Sequence, residues 1–142
     1  MITDNYIKMC EQAEKLQKSN INIGKRHFNN QDFVAYNCGE GLKVYVCSEI
    51  SRYWLIEELI WLPTQEQLQE IYFNDNDLNF ADIFNKFFWE FFYMDNCMET
   101  DYVEPLEKTK KFHSFVELWL AFVMHEKYHK IWTGEKWVKA ND

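Results

Sequence analysis

Apolar side chains recur every three to four residues at Tyr6, Cys10, Ala13 and Leu16, which is the spacing of one helix face. Thr3 or Asp4 can cap the start of that helix, and the pattern fades near Ser19 and Asn20. A polar connection, SNINIGKRHFNNQD, follows, and then the period changes. FVAYN (33–37) and LKVYVC (42–47) are rich in β-branched and aromatic residues, as strands are. Between them NCGEG carries Gly39 and Gly41, which can take positive φ, so the two runs predict a β-hairpin. YWLIEELIWL (53–62) carries two signals: its apolar run suits a strand, and IEEL suits a helical turn. Pro63 biases Leu62 away from the helical region, so the end of this stretch is expected to be extended.

Thr64 and Gln67 have the spacing of a capping box and predict a helix with Leu68 and Ile71 or Tyr72 facing inward. NDNDLN (74–79) breaks it. This segment is oxygen-rich like a calcium loop, but it lacks the Gly and terminal Glu of an EF-hand, so a solvated loop is expected. The next helix is predicted from Ala81 to Tyr93. Phe80, Phe84, Phe87, Phe88 and Phe91 follow helical spacing, with Ile83 and Phe92 beside them, which implies burial on more than one side. A loop with an acidic start and a basic end, DNCMETDYVEPLEKTKK, leads to a last long helix over about 113–130. Phe115, Leu118, Trp119, Phe122 and Val123 fall near one of its faces, with Glu126 at the margin. In the tail, IWTGEKWV, Gly134 stands between two Trp-containing stretches and suits a tight turn or small hairpin. The predicted fold class is α+β, a small antiparallel sheet packed against three to four helices. With no repeat, low-complexity segment or linker, residues 1–142 read as a single compact domain.

Composition adds rings and charge. Twelve Phe, eight Tyr and six Trp make 18% of the chain aromatic. These rings can build the core, and some can serve a binding surface. The formal charge of −8 repels phosphates, which argues against direct nucleic-acid binding and against an anionic membrane surface. The same charge keeps a protein soluble and suits a basic protein partner. Cys10, Cys38, Cys47 and Cys97 form no C-x-x-C pair. The chain begins without a basic-then-apolar leader, and no apolar run approaches the ~20 residues of a membrane span. Free thiols in a cytoplasmic protein are the expectation.

One motif carries sharp chemistry. MHEKYHK (124–130) contains His125, Glu126 and His129 in H-E-x-x-H spacing. On a helix two such histidines share a face and can bind zinc, with Glu126 as general base on the bound water. LAFVM ahead of it supplies the apolar helix that zincins use. A catalytic zinc needs a third ligand, however. No Gly and third His follow at metzincin spacing, and Glu135 is the sole acid between His129 and Asp142. His113 lies twelve residues up the same helix, about 18 Å away. His27 or an upstream acid would have to fold back. Lys127 puts a cation inside the motif, and with His129 and Lys130 it fits the end of a helix exposed to solvent, where cations are favoured. Neither metal nor catalytic residues are therefore favoured, and His125, Glu126 and His129 serve only a zinc-hydrolase alternative.

Other chemistry is thinner. No cysteine has a paired base in a recognisable motif. Ser48, Ser51 and Ser114 sit in no G-x-S-x-G elbow, and four glycines make no phosphate loop. Glu57 and Glu58 are adjacent and point apart. Exposed Trp54, Trp61, Trp132 or Trp137 could stack on sugars, but core or interface roles come first.

Two segments, WLPTQEQLQEIY (61–72) and FVELWLAFVMHEKYHKIWTGEKWV (115–138), resemble small proteins encoded by phages and prophages of Gram-positive bacteria. The resemblance rests on Trp61, Leu62, Pro63, Gln65, Gln67 and Leu68, on Leu118 to Phe122, and on Trp132, Gly134, Glu135 and Trp137. Its pattern holds Glu126, Lys127 and Tyr128 without requiring the two histidines. It implies a non-catalytic phage or prophage accessory protein in the host cytoplasm, acting by protein binding, for instance as an inhibitor of a host or defence protein. Trp132, Glu135 and Trp137 are its candidate partner-binding residues. A zinc-dependent hydrolase and an oligomeric structural phage protein are the alternatives.

Overall fold

A computed structural model of the protein describes residues 2–19, 21–22, 25–26, 31–49, 58–75, 80–87 and 112–140. Among them are five α-helices and seven short strands: α1 (Asp4–Gln12), α2 (Glu14–Ser19), β1 (Ile21–Asn22), β2 (Lys25–Arg26), β3 (Phe33–Asn37), β4 (Leu42–Val46), β5 (Ile60–Leu62), α3 (Gln65–Asp75), α4 (Phe80–Asn85), α5 (Phe115–Tyr128), β6 (Lys130–Trp132) and β7 (Trp137–Lys139). The architecture is α+β, as predicted. His27, Ser51, Trp54, Glu57, Phe88, Phe91, Cys97 and the expected 95–111 loop lie outside the described residues.

The central sheet has the order β4-β3-β5, antiparallel throughout. The predicted hairpin is β3–β4, with Asn37 paired to Leu42 across a turn in which Gly39 and Gly41 take φ of 112° and 96°. The Asn37 side chain accepts from the amides of both glycines and fixes the turn. Val34 and Tyr36 face a small cluster with Leu59, Tyr45 and Cys47, while Ala35 faces the main core. The ambiguous stretch before Pro63 ends as β5, extended as the proline requires.

Thr3 caps α1 by accepting from the Tyr6 amide. Tyr6, Cys10, Ala13 and Leu16 are all buried, together with Ile7 and Met9. The helix is not continuous to Ser19, because Ala13 leaves it with ψ of 65°. The break has a purpose in hydrogen bonding. Gln17, buried on α2, donates to the Cys10 carbonyl at 3.0 Å and to the Trp61 carbonyl at 2.8 Å, and accepts from the Trp61 amide at 2.8 Å. One amide side chain thus completes the ladder of β5 on the side away from β3 and ties it to the α1–α2 joint.

The capping box at α3 forms as predicted: the Thr64 amide donates to Gln67 Oε1 at 2.8 Å and the Gln67 amide to Thr64 Oγ1 at 3.2 Å. Leu68 and Tyr72 are buried. The core centres on α5, where every side chain from Glu117 to Met124 is buried, so this helix is enclosed rather than amphipathic. Phe122 meets Tyr72 edge-on at 5.0 Å, and Trp119 stacks on Phe87 at 4.3 Å, pairs each worth about 1 kcal/mol beyond their buried area. Phe115, expected on the inner face, is 54% exposed. As the first helical residue it precedes the enclosed turns and meets the Phe87 ring edge-on, 5.9 Å away. The tail forms the expected hairpin β6–β7, turning at Gly134 with φ of 105°.

Candidate functional site

His125 and His129 do not sit together on helical backbone. The helix ends at Tyr128, and His129 is its C-cap in the left-handed conformation, φ 54° and ψ 46°. Its amide still reaches the His125 carbonyl at 3.0 Å, and its carbonyl accepts from Ala140 at 2.8 Å. The second histidine is thus the joint where α5 becomes the β6–β7 hairpin, and its side chain is exposed. Glu126 lies 3.5 Å from the Lys86 ammonium and 4.0 Å from His125 Nδ1. Among the described residues no group of three or more His, Cys, Asp and Glu side chains is placed to hold a metal ion.

The tail residues divide. Trp132 and Trp137 are buried, 2% and 9% exposed, and stand 5.1 Å apart. The Trp137 indole donates to the Met9 carbonyl at 2.9 Å. The Trp137 ring thus fastens the hairpin to α1, and the Trp132 ring packs beside it. Glu135, in the turn, is exposed.

The sequence reading passed over Glu117. Its carboxylate is fully buried, and it accepts hydrogen bonds from Thr3 Oγ1 at 3.0 Å, Ser114 Oγ at 3.0 Å and Asn5 Nδ2. Thr3 and Ser114 are the N-caps of α1 and α5, so one acidic side chain sits where the positive ends of two helices converge. The signal was available: Ser114 and Glu117 spell S-x-x-E before an apolar run, a second capping box. Nearby, Tyr6 donates to the Pro63 carbonyl at 2.6 Å. Burial raises the Tyr6 hydroxyl well above its ordinary range, with the Cys10 thiol adding to the effect, and burial raises Cys10 likewise. These groups are held neutral and enclosed, so they pin the core rather than perform chemistry.

Two open clefts border the sheet. The first, about 550 Å³, lies between α1–α2 and the Leu42 end of β4; Glu11, Glu14 and Glu58 line it with Lys18. Lys18 pairs with Glu14 at 2.6 Å and holds its carboxyl below the usual range. The second, about 630 Å³, lies beside the N-terminus of α3 at the Val46 end of β4. It is lined by Asp32, Glu66 and Glu70 with Phe33 and Val46. Asp32 is buried and accepts from Gln67 Nε2 at 2.7 Å. Each cleft carries three carboxylates beside apolar side chains, an arrangement that attracts cationic groups joined to apolar ones. Sequence reading anticipated an acidic surface but not its location, because Glu11, Glu58 and Glu70 come from distant segments.

No family model, no curated protein and no solved structure matches this chain. No helix among the described residues is long and apolar enough to cross a membrane.

Proposed function

We propose that this protein is a non-catalytic phage or prophage accessory protein that works by binding a basic protein of the host cell, such as a host or defence protein that it inhibits. The observation that carries the reading is the pair of carboxylate-lined clefts at the two ends of β4. In a chain of charge −8 they concentrate negative potential beside apolar surface, which steers and then holds a cationic partner. The resemblance of residues 61–72 and 115–138 to phage-encoded proteins supplies the biological setting.

The test compares the wild-type chain with one carrying Glu11→Gln, Glu58→Gln, Glu66→Gln and Glu70→Gln, each used to capture proteins from a Gram-positive bacterial lysate. Wild type is expected to recover a defined basic protein, lost with the neutralised chain and at high salt, where charge attraction is screened. Recovery of nothing specific, or of the same proteins by both chains, sinks the reading.

A further inference from the structure

We infer that the outer edge of β4 accepts an extended cationic–apolar segment of the partner as an added strand. The inference rests on the binding reading above and specifies how the two clefts are used. β4 is an edge strand, since no strand of the described residues pairs with it on the side away from β3. The Cys47 amide donates to the Asp32 carbonyl at 2.8 Å. Antiparallel ladders alternate residue by residue, so Cys47, Tyr45 and Lys43 direct their main-chain groups towards β3. Val46, Val44 and Leu42 direct theirs outward. Strand addition needs such a row of donors and acceptors.

The side chains agree with the main chain. Leu42, Val44 and Val46 share one face, because they pair with Asn37, Ala35 and Phe33. Leu42 is 42% and Val44 39% exposed; with Phe115 they are the exposed large hydrophobics of the described residues. Leu42 borders the first cleft and Val46 the second. An apolar strip about 14 Å long, at 3.4 Å per residue, therefore runs from one carboxylate cluster to the other.

Edge strands are commonly blunted by proline, a bulge or an outward lysine. β4 has neither proline nor bulge across its paired length. Its one lysine, Lys43, lies on the opposite face and pairs with Glu40 at 3.1 Å. A second copy of the chain is a poor occupant, since two acidic chains would bring like charges together at both ends of the strip. The fitting occupant is a strand of alternating apolar residues with Lys or Arg at each end.

The probe is a capped peptide of alternating valine and threonine between paired lysines, with the same peptide carrying glutamates as control. Binding is followed by amide NMR on labelled protein. The lysine peptide is expected to shift the Leu42, Val44 and Val46 amides and slow their hydrogen exchange; the glutamate peptide is expected to do neither. Val44→Pro removes an outward donor without touching the ladder to β3 and is expected to weaken binding about tenfold or more. If this variant fails to fold, exchange protection on the wild-type chain still decides the matter. Equal binding by Val44→Pro, or shifts confined to the clefts without protection of the three amides, overturns strand addition and leaves the acidic clefts as the site. Absence of binding by the lysine peptide, or binding no better than the glutamate control, overturns strand addition together with the reading it rests on.

Discussion

At the residue scale the decisive side chain is Glu117. A carboxylate removed from water is costly unless its oxygens are satisfied, and here three side-chain donors from α1, its cap and the α5 cap converge on it. Glu117→Ala strands those donors in a buried site. We expect a loss of about 3 kcal/mol, which in a chain of this size lowers Tm by about 10 °C, measured by circular dichroism. Glu117→Gln keeps one acceptor oxygen and should lose less than half of that. Equal stability of Glu117→Ala and wild type would show that the two helix starts do not depend on the shared acceptor. This residue was legible as a cap in Ser114-Phe-Val-Glu117. Its meeting with Thr3 and Asn5, more than a hundred positions away, was not.

At the element scale the end of α5 settles how HEKYH is presented. The spacing expresses the geometry of an uninterrupted helix, and the backbone departs from it at His129. Positive φ strains a residue with a Cβ, and glycine is the usual occupant of such a position. His129→Gly is therefore expected to hold or raise stability, by up to about 1 kcal/mol. Protein purified without chelator should carry no stoichiometric zinc, in wild type and in His125→Ala alike. About one zinc per chain, lost in His125→Ala, would restore the hydrolase reading. The same scale explains the divided first helix. Periodicity placed Tyr6, Cys10, Ala13 and Leu16 correctly, but it could not show that the chain leaves the helix at Ala13 or that the Gln17 side chain on α2 serves the β5 main chain.

For the whole molecule the buried hydroxyl and thiol of Tyr6 and Cys10 set a pH limit. Both are raised by burial in the folded chain, whereas in the unfolded chain they ionise near their ordinary values, about 8.5 for cysteine and 10 for tyrosine. Below those values both states are neutral and stability is undiminished. Above them the unfolded state releases protons that the folded state keeps, so stability falls with rising pH. Tm should decline from about pH 9 upward, and Cys10→Ala should flatten the first part of that decline. An identical slope in both would mean that Cys10 does not contribute. Cys47 follows the same sign: partial burial, with Asp32 nearby, pushes its thiol up to about 11, so it should label more slowly than exposed Cys38.

The sequence by itself determined the α+β class, the 33–46 hairpin, the Thr64 cap, the extended approach to Pro63 and the Gly134 turn. Each follows from local rules: side-chain period, cap chemistry, proline sterics and the freedom of glycine. Tertiary structure alone decided that α5 is enclosed, that the Trp137 indole is tied to α1, that His129 turns out of the helix as its cap, and that six carboxylates from five segments gather at the two ends of a strand at the edge of the described sheet. Those outcomes depend on which distant surfaces meet, and burial and electrostatic potential belong to that meeting rather than to any residue's neighbours along the chain.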